Sequence, residues 1–368
     1  MAKIIRRLLP DILGDLSSIA PQDARTLVSD SPEDLFLCAL GFEPRCLTHP
    51  RRLKNAGYKA RRAAYFKYAT NLDNNMVNLP GLESYLRAIT PNVEPLDADT
   101  TDFTSRLRAF LDLIMSEASE KPPRITLDVS VTANRLLLRC MKVLLEYDIR
   151  LRIIYSEAAL YRPTKKEYEH EPEKWERDDL LGLERGVSEV MPSIDHPGYA
   201  LDPLPDFLVL FPSFKPERSK AVISFVDPSL LANSGGKVAW LLGVPHLKED
   251  SWRLDAMKKI NGISEAMLQY EVSTFDYKDT LQVLERIHAE KSESHTITMS
   301  PLGSKMQALG TALFCYMHPD VRVIFSMPKE YNAAQYSEGC KDVWEIDFGS
   351  LDDLRRSLDD VGTLRIEE

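Results

Sequence analysis

A pattern that occurs twice in one chain constrains the fold more than any single motif, because both copies must satisfy the same packing rules. Ile125 to Glu157 reads ITLDVSVTANRLLLRCMKVLLEYDIRLRIIYSE, and His295 to Pro328 reads HTITMSPLGSKMQALGTALFCYMHPDVRVIFSMP. Each is an apolar strand, a small polar turn, a helix and a second strand. The likeness extends outward. DLFLCALGFEPRCLTHPRRLKNAG, from Asp34, parallels KVAWLLGVPHLKEDSWRLDAMKKING, from Lys237: a strand, a glycine, a polar loop and a helix that stops at Asn-Gly or Asn-Ala-Gly. VEPLDADTTDFTSRLRAFLDLI parallels YEVSTFDYKDTLQVLERI, and GVSEVMPS parallels DVWEIDFGS near the ends. With the tyrosine that follows each second strand, Tyr161 and Tyr331, these make five landmarks in one order and mark an internal duplication.

Each half therefore predicts alternating strands and helices, the pattern of a doubly wound, mainly parallel sheet. The strands are short runs of Ile, Val, Leu and Phe, as burial on both faces demands. The expected architecture is α/β, two tandem Rossmann-like lobes with an inserted β-hairpin. Residues 1–30 form an N-terminal helical segment, 31–200 the first lobe with a charged excursion (RPTKKEYEHEPEKWERDD), 201–235 the hairpin connector and 236–368 the second lobe.

At 368 residues the chain has room for two cores. Its net charge of -10 argues against broad nucleic-acid binding, which needs a basic surface. Arg6, Arg7, Pro10 and Asp11 interrupt any signal-peptide core, and no apolar run is long enough to span a membrane. Five cysteines without a CxxC pair suit free thiols in a reducing cytoplasm, the expected location.

Ligands of doubly wound sheets bind at the carboxyl ends of the strands. The repeat places four loops there: Gly41-Phe42-Glu43-Pro44-Arg45, Ser130-Val131-Thr132-Ala133-Asn134-Arg135, Gly243-Val244-Pro245-His246 and Gly303-Ser304-Lys305-Met306-Gln307. A glycine admits close backbone approach, helix-start amides favour anions, Ser304 donates, and Lys305 and Arg45 neutralise a phosphate. Capping is the competing explanation for Ser130, Thr132, Asn134 and Ser304, as a salt bridge is for Glu43 with Arg45. Neither GxxxxGK[ST] nor GxGxxG is present, so ATPase and dinucleotide redox chemistry lack their usual supports. Asp128, Glu43 and His246 are the acid–base candidates. The seven histidines show no HxH or HExxH spacing, and neither a metal nor a cofactor is expected.

The turns Ser130-Val131-Thr132-Ala133-Asn134 and Leu302-Gly303-Ser304-Lys305 resemble those of the CRISPR-associated Rossmann fold, the CARF-like sensor domains. In that family the loop after the first strand and a later Thr/Gly/Lys turn line a pocket for signalling nucleotides across a twofold axis. The resemblance implies that LGFEPR and LGVPH are the first-strand loops and that Gly303-Ser304-Lys305 is the later turn. It further implies a homodimer or paired lobes, a cleft binding a nucleotide or phosphorylated ligand, and a role in bacterial antiviral defence. The chain departs from the family in fusing two lobes and in showing no attached nuclease or DNA-binding effector, so its output is expected to pass through a separate effector protein. The leading expectation is a non-catalytic sensor. Its alternatives are an enzyme acting on a nucleotide or sugar phosphate in the same cleft, and a structural subunit of a complex.

Overall fold

The computed structural model describes residues 3–6, 8–23, 32–118, 122–170, 184–199, 204–231, 236–331, 336–361 and 364–367. The chain divides into two units, one of residues 1–161 and 337–368, the other of residues 162–336.

The first unit opens with β1 (Lys3–Arg6), α1 (Leu9–Asp15) and β2 (Ala20–Pro21), so among the described residues the expected helical segment is helical only where Pro10 can occupy a first-turn position. The sheet proper follows as β3 (Glu33–Ala39), α2 (Thr48–Ala56), β4 (Ala60–Lys67), α3 (Leu72–Met76), α4 (Leu79–Ile89), β5 (Val93–Asp97), α5 (Phe103–Glu117), β6 (Arg124–Asp128), α6 (Asn134–Leu144) and β7 (Arg150–Ser156), then a short β8 (Leu160–Tyr161). Every residue of β3 is buried. In α5 the buried Phe103, Leu107, Phe110, Leu111 and Ile114 recur at helical spacing and turn one face to the sheet.

The second unit contains α7 (Lys165–His170), β9 (Glu184–Pro197), β10 (Asp206–Leu210), α8 (Pro216–Val226), β11 (Val238–Val244), α9 (Trp252–Ile260), β12 (Leu268–Ser273), α10 (Tyr277–Lys291), β13 (Thr296–Ser300), α11 (Lys305–Met317) and β14 (Arg322–Tyr331). The chain then returns to the first unit as β15 (Ser337–Glu338), β16 (Val343–Ser350), α12 (Leu351–Asp359) and β17 (Leu364–Glu367). Of the charged excursion, Lys165–His170 is helical, and residues 171–183 lie outside the described residues.

The sheets have one plan. The first runs β2-β16-β7-β6-β3-β4-β5 and the second β12-β11-β10-β13-β14-β9. Five consecutive strands are parallel in each, and an antiparallel strand (β16 on β7, β9 on β14) closes one side. The architecture is the expected pair of Rossmann-like, mainly parallel α/β units, but the segmentation differs from expectation in two ways.

First, the predicted hairpin at 201–235 is absent among the described residues of that segment. Asp206–Leu210 is the innermost first strand of the second sheet, and PERSKAVISFV is the helix α8. The β-branched run AVISFV imitates a strand, yet Pro216, Ser219, Val222 and Ile223 are the buried positions, a helical spacing behind a proline at the helix start. The structural counterpart of β3 is thus β10, not β11. Second, the edge strands are exchanged. GVSEVMPS lies in β9 and pairs with β14, whereas DVWEIDFGS forms β16 and pairs with β7. Each antiparallel strand completes the sheet made by the other half of the sequence.

Candidate functional site: two switch-point crevices

In the first unit β3 leads to β4 on one side, while β6, its other neighbour, leads to β7 on the opposite side. That reversal opens a crevice at the carboxyl ends of β3 and β6, the ligand position of this topology. The loops after the two strands touch: a Cβ on Gly41 would lie 3.0 Å from Val131 Cγ2, so only glycine fits without displacing the valine.

Beneath these loops lies a cluster of buried polar groups. Arg45 is 5% exposed; its Nη2 donates to Glu43 Oε2 at 2.7 Å and its Nη1 to the Ser156 carbonyl at 2.7 Å. Ser337 donates to the same Glu43 oxygen. Burial alone would lower the Arg45 pKa, but Glu43, together with Tyr161 and Tyr155, outweighs it and holds the guanidinium charged. Asp128, 3% exposed, accepts from the Ser130 hydroxyl and from the Ser130 amide at 2.9 Å, both through Oδ1. Its Oδ2 has no hydrogen-bond partner among the described residues, nor does the buried Ser156 hydroxyl. Burial pushes the Asp128 carboxyl up to about 6, against the pull of Ser130 and of the Arg45 charge. Thr132 Oγ1 donates to the Asp128 carbonyl at 3.2 Å.

The structure thus gathers Gly41, Glu43, Arg45, Asp128, Ser130 and Thr132. Arg135 instead pairs with Asp99 at 2.6 Å, and Asn134 opens α6. Burial pushes the neighbouring Cys46 thiol up to about 12, which leaves it protonated at neutral pH and unsuited to attack.

In the second unit the switch point falls between β10 and β13. Their loops are joined where the Phe211 amide donates to the Ser300 carbonyl at 3.2 Å. The first-strand loop is therefore Phe211-Pro212-Ser213-Phe214-Lys215. The expectation that Gly243-Val244-Pro245-His246 fills this place is corrected: that loop follows β11, one strand away, and His246 stacks on Phe275 at 3.9 Å.

Ser304 and Gln307 close the start of α11 on each other. The Ser304 hydroxyl accepts from the Gln307 amide at 3.2 Å, and Gln307 Oε1 accepts from the Ser304 amide at 2.8 Å, a capping box. Ser304 Oγ also donates to the Thr274 carbonyl at 2.6 Å. A Cβ on Gly303 would collide with Gln307 Oε1 and so displace it from the capping box. The capping box leaves Gln307 Nε2, in a buried side chain, without a hydrogen-bond partner among the described residues; the Ser300 hydroxyl is in the same position.

Lys215, absent from the sequence-based candidates, is only 7% exposed, and it makes no ion pair among the described residues. Its backbone is fixed by Ser213, whose hydroxyl accepts from the Lys215 amide at 3.1 Å. The signal that could have found it is the echo of Gly41-Phe42-Glu43-Pro44-Arg45 in Ser213-Phe214-Lys215-Pro216-Glu217-Arg218, hidden by the reading of β10 as half of a hairpin.

No family model and no curated protein matches the chain. Among solved structures it is similar to a Type III CRISPR defence DNA nuclease activated by cyclic oligoadenylate, at TM-score 0.43 and 10% identity over 81% of this chain and 68% of that one. It is also similar to the cytoplasmic domain of a prokaryotic cation chloride cotransporter (TM-score 0.24, 10% identity, 83% and 99%). A third likeness is to a predicted O-methyltransferase from Agrobacterium tumefaciens (TM-score 0.21, 14% identity, 37% and 62%). Likenesses this distant carry no inference about function. No helix among the described residues is long and apolar enough to cross a membrane.

Proposed function

We propose that the chain binds a nucleotide or another phosphorylated ligand and acts as a non-catalytic sensor or regulatory subunit that passes its signal to a separate effector protein. The observation that carries this reading is Lys215. Its side chain is little exposed and makes no ion pair among the described residues, so its charge is left for an anion to meet. The loop that carries Lys215 meets the loop after β13 where Phe211 bonds Ser300, and that second loop supplies what a phosphate group uses: the start of α11, Lys305 at its first position, and the unsatisfied Gln307 amide and Ser300 hydroxyl. In the first unit, Arg45, Ser130 and the Ser156 hydroxyl occupy the corresponding crevice. Binding without turnover is favoured because the Cys46 thiol is held protonated, the Ser130 hydroxyl is engaged by the Asp128 carboxylate with no imidazole bonded to it among the described residues, and His246 is stacked on Phe275 in the loop after β11.

One observation favours the enzyme reading: Asp128, held near pH 6 with a free Oδ2, is suited to proton transfer to the same class of ligand. Thermal unfolding of the full chain with nucleoside phosphates, cyclic oligonucleotides and sugar phosphates separates the two. At one hundred times its Kd a ligand adds about 2.7 kcal/mol, worth about 5 to 10 °C for a unit of this size. A stabilising compound recovered intact, and no longer stabilising in Lys215→Met or Lys305→Ala, is the expected result. A compound that is consumed by the wild type and spared by Asp128→Asn makes the protein an enzyme. A panel without any shift overturns both readings.

A further inference from the structure

The second unit carries a cluster of metal-ligating groups that no local sequence spacing announces. His288 lies in the last turn of α10, His318 caps the end of α11, and Asp320 follows in the turn before β14. The two imidazoles lie face to face, with ring centroids 3.7 Å apart and planes 30° apart. His288 Nε2 is 3.0 Å from Asp320 Oδ2, and His318 Nε2 is 2.6 Å from Glu285 Oε2, one turn back along α10. One donor atom each from His288, His318 and Asp320 lies within 4.8 Å of the others. The Phe314 ring, 4.8 Å from His318 and 5.9 Å from His288, forms an apolar wall against both.

We propose that His288, His318 and Asp320, with Glu285 holding the His318 ring, bind a divalent transition-metal ion of the zinc class. The charge balance asks for a cation: two carboxylates and the negative ends of two helices converge, and neither carboxylate pairs with a lysine or arginine among the described residues. The donor set selects the ion. Two imidazole nitrogens with carboxylate oxygens suit Zn2+, Co2+ or Ni2+, whereas Mg2+ and Ca2+ favour oxygen alone. Tetrahedral ligands at about 2.0–2.2 Å from the metal stand about 3.5 Å apart, so side-chain rotations of about 1 Å gather the donors. The ligands are accessible, with side chains 16% (His288), 17% (His318) and 45% (Asp320) exposed.

The site is separate from the ligand crevice. Helix α11 begins beside that crevice and ends here; at 1.5 Å per residue it is about 20 Å long. A metal at this point would fasten the ends of α10 and α11 to the start of β14.

The test uses the full chain, stripped with a chelator, desalted and mixed with zinc sulfate. The expected result is one zinc retained per chain by elemental analysis, a raised melting temperature, and at least about tenfold weaker binding in Asp320→Asn and in His318→Asn. Asp320→Asn keeps side-chain shape at a half-exposed position, and circular dichroism confirms its fold. His295→Asn, outside the cluster, is expected to bind as the wild type does. Cobalt absorption in the visible adds a readout of ligand geometry. Failure of the folded wild type to retain zinc, or equal affinity in both cluster variants and the wild type, overturns the proposal. So does displacement of zinc by an equimolar amount of Mg2+.

Discussion

Replacing Asp128 by asparagine removes one ionisable group from the first crevice and keeps its shape. Burial pushes the wild-type carboxyl from an ordinary 3.8 up to about 6, so between those values the folded chain holds a proton that the unfolded chain has released. The stability this contributes is complete below about pH 3.8 and is lost as pH rises through about 6. At about 1.4 kcal/mol per pH unit the whole loss is about 3 kcal/mol, of which about 1.3 kcal/mol falls between pH 5 and pH 7. The asparagine side chain carries no charge and has no such slope, while its carbonyl still accepts from Ser130. Hydrogen exchange of the β6 and β7 amides, compared between the two proteins at equal pH, reports the stability of this unit alone. The difference between the proteins is the quantity to read, because any constant cost of the amide cancels, as does the titration of other groups. The variant should gain on the wild type by about 1.3 kcal/mol from pH 5 to pH 7. Parallel profiles would refute the claim that Asp128 is a buried carboxyl left short of partners.

Other outcomes follow from the same packing. Arg45→Met leaves Glu43 buried without its cation and should cost about 3–5 kcal/mol, whereas Arg45→Met with Glu43→Leu should recover much of that loss in urea unfolding. Burial holds the His49 ring down at about 3, with Arg52 and Arg152 adding to the effect, so the stability it contributes is complete above pH 6.5 and is lost as pH falls towards 3. Wild type should therefore lose about 1.6 kcal/mol more than His49→Leu between pH 6.5 and pH 5. A Cβ at Gly310 would collide with the Tyr277 carbonyl, where α11 meets α10, so Gly310→Ala should destabilise the second unit by about 1–3 kcal/mol in thermal melts.

Much of the fold was legible because its signals are local. Apolar runs such as LFLCAL and helical spacing in α5 and α10 each involve residues a few positions apart, and the structure places each as the pattern predicts; Ser304 takes the helix-capping role weighed against ligand binding. The first-crevice cluster was partly legible for the same reason: Glu43 with Arg45, and Asp128 with Ser130 and Thr132, lie within single loops. The failures were also local. AVISFV carries β-branched residues that suit a strand and a buried helix face alike, and misreading it removed β10 from the sheet and Lys215 from the site.

The sequence by itself determined that the chain builds a Rossmann-like pattern twice, and which segments serve as most of its strands and helices. Only the tertiary structure decided which sheet receives β9 and β16, that Ser337 reaches Glu43 across 294 residues, and that His288 meets His318 and Asp320. Periodicity is set by each residue's own side chain and its near neighbours. Strand pairing is made by backbone amides and carbonyls that are the same in every strand, so the partner of an edge strand is chosen by how the whole chain packs.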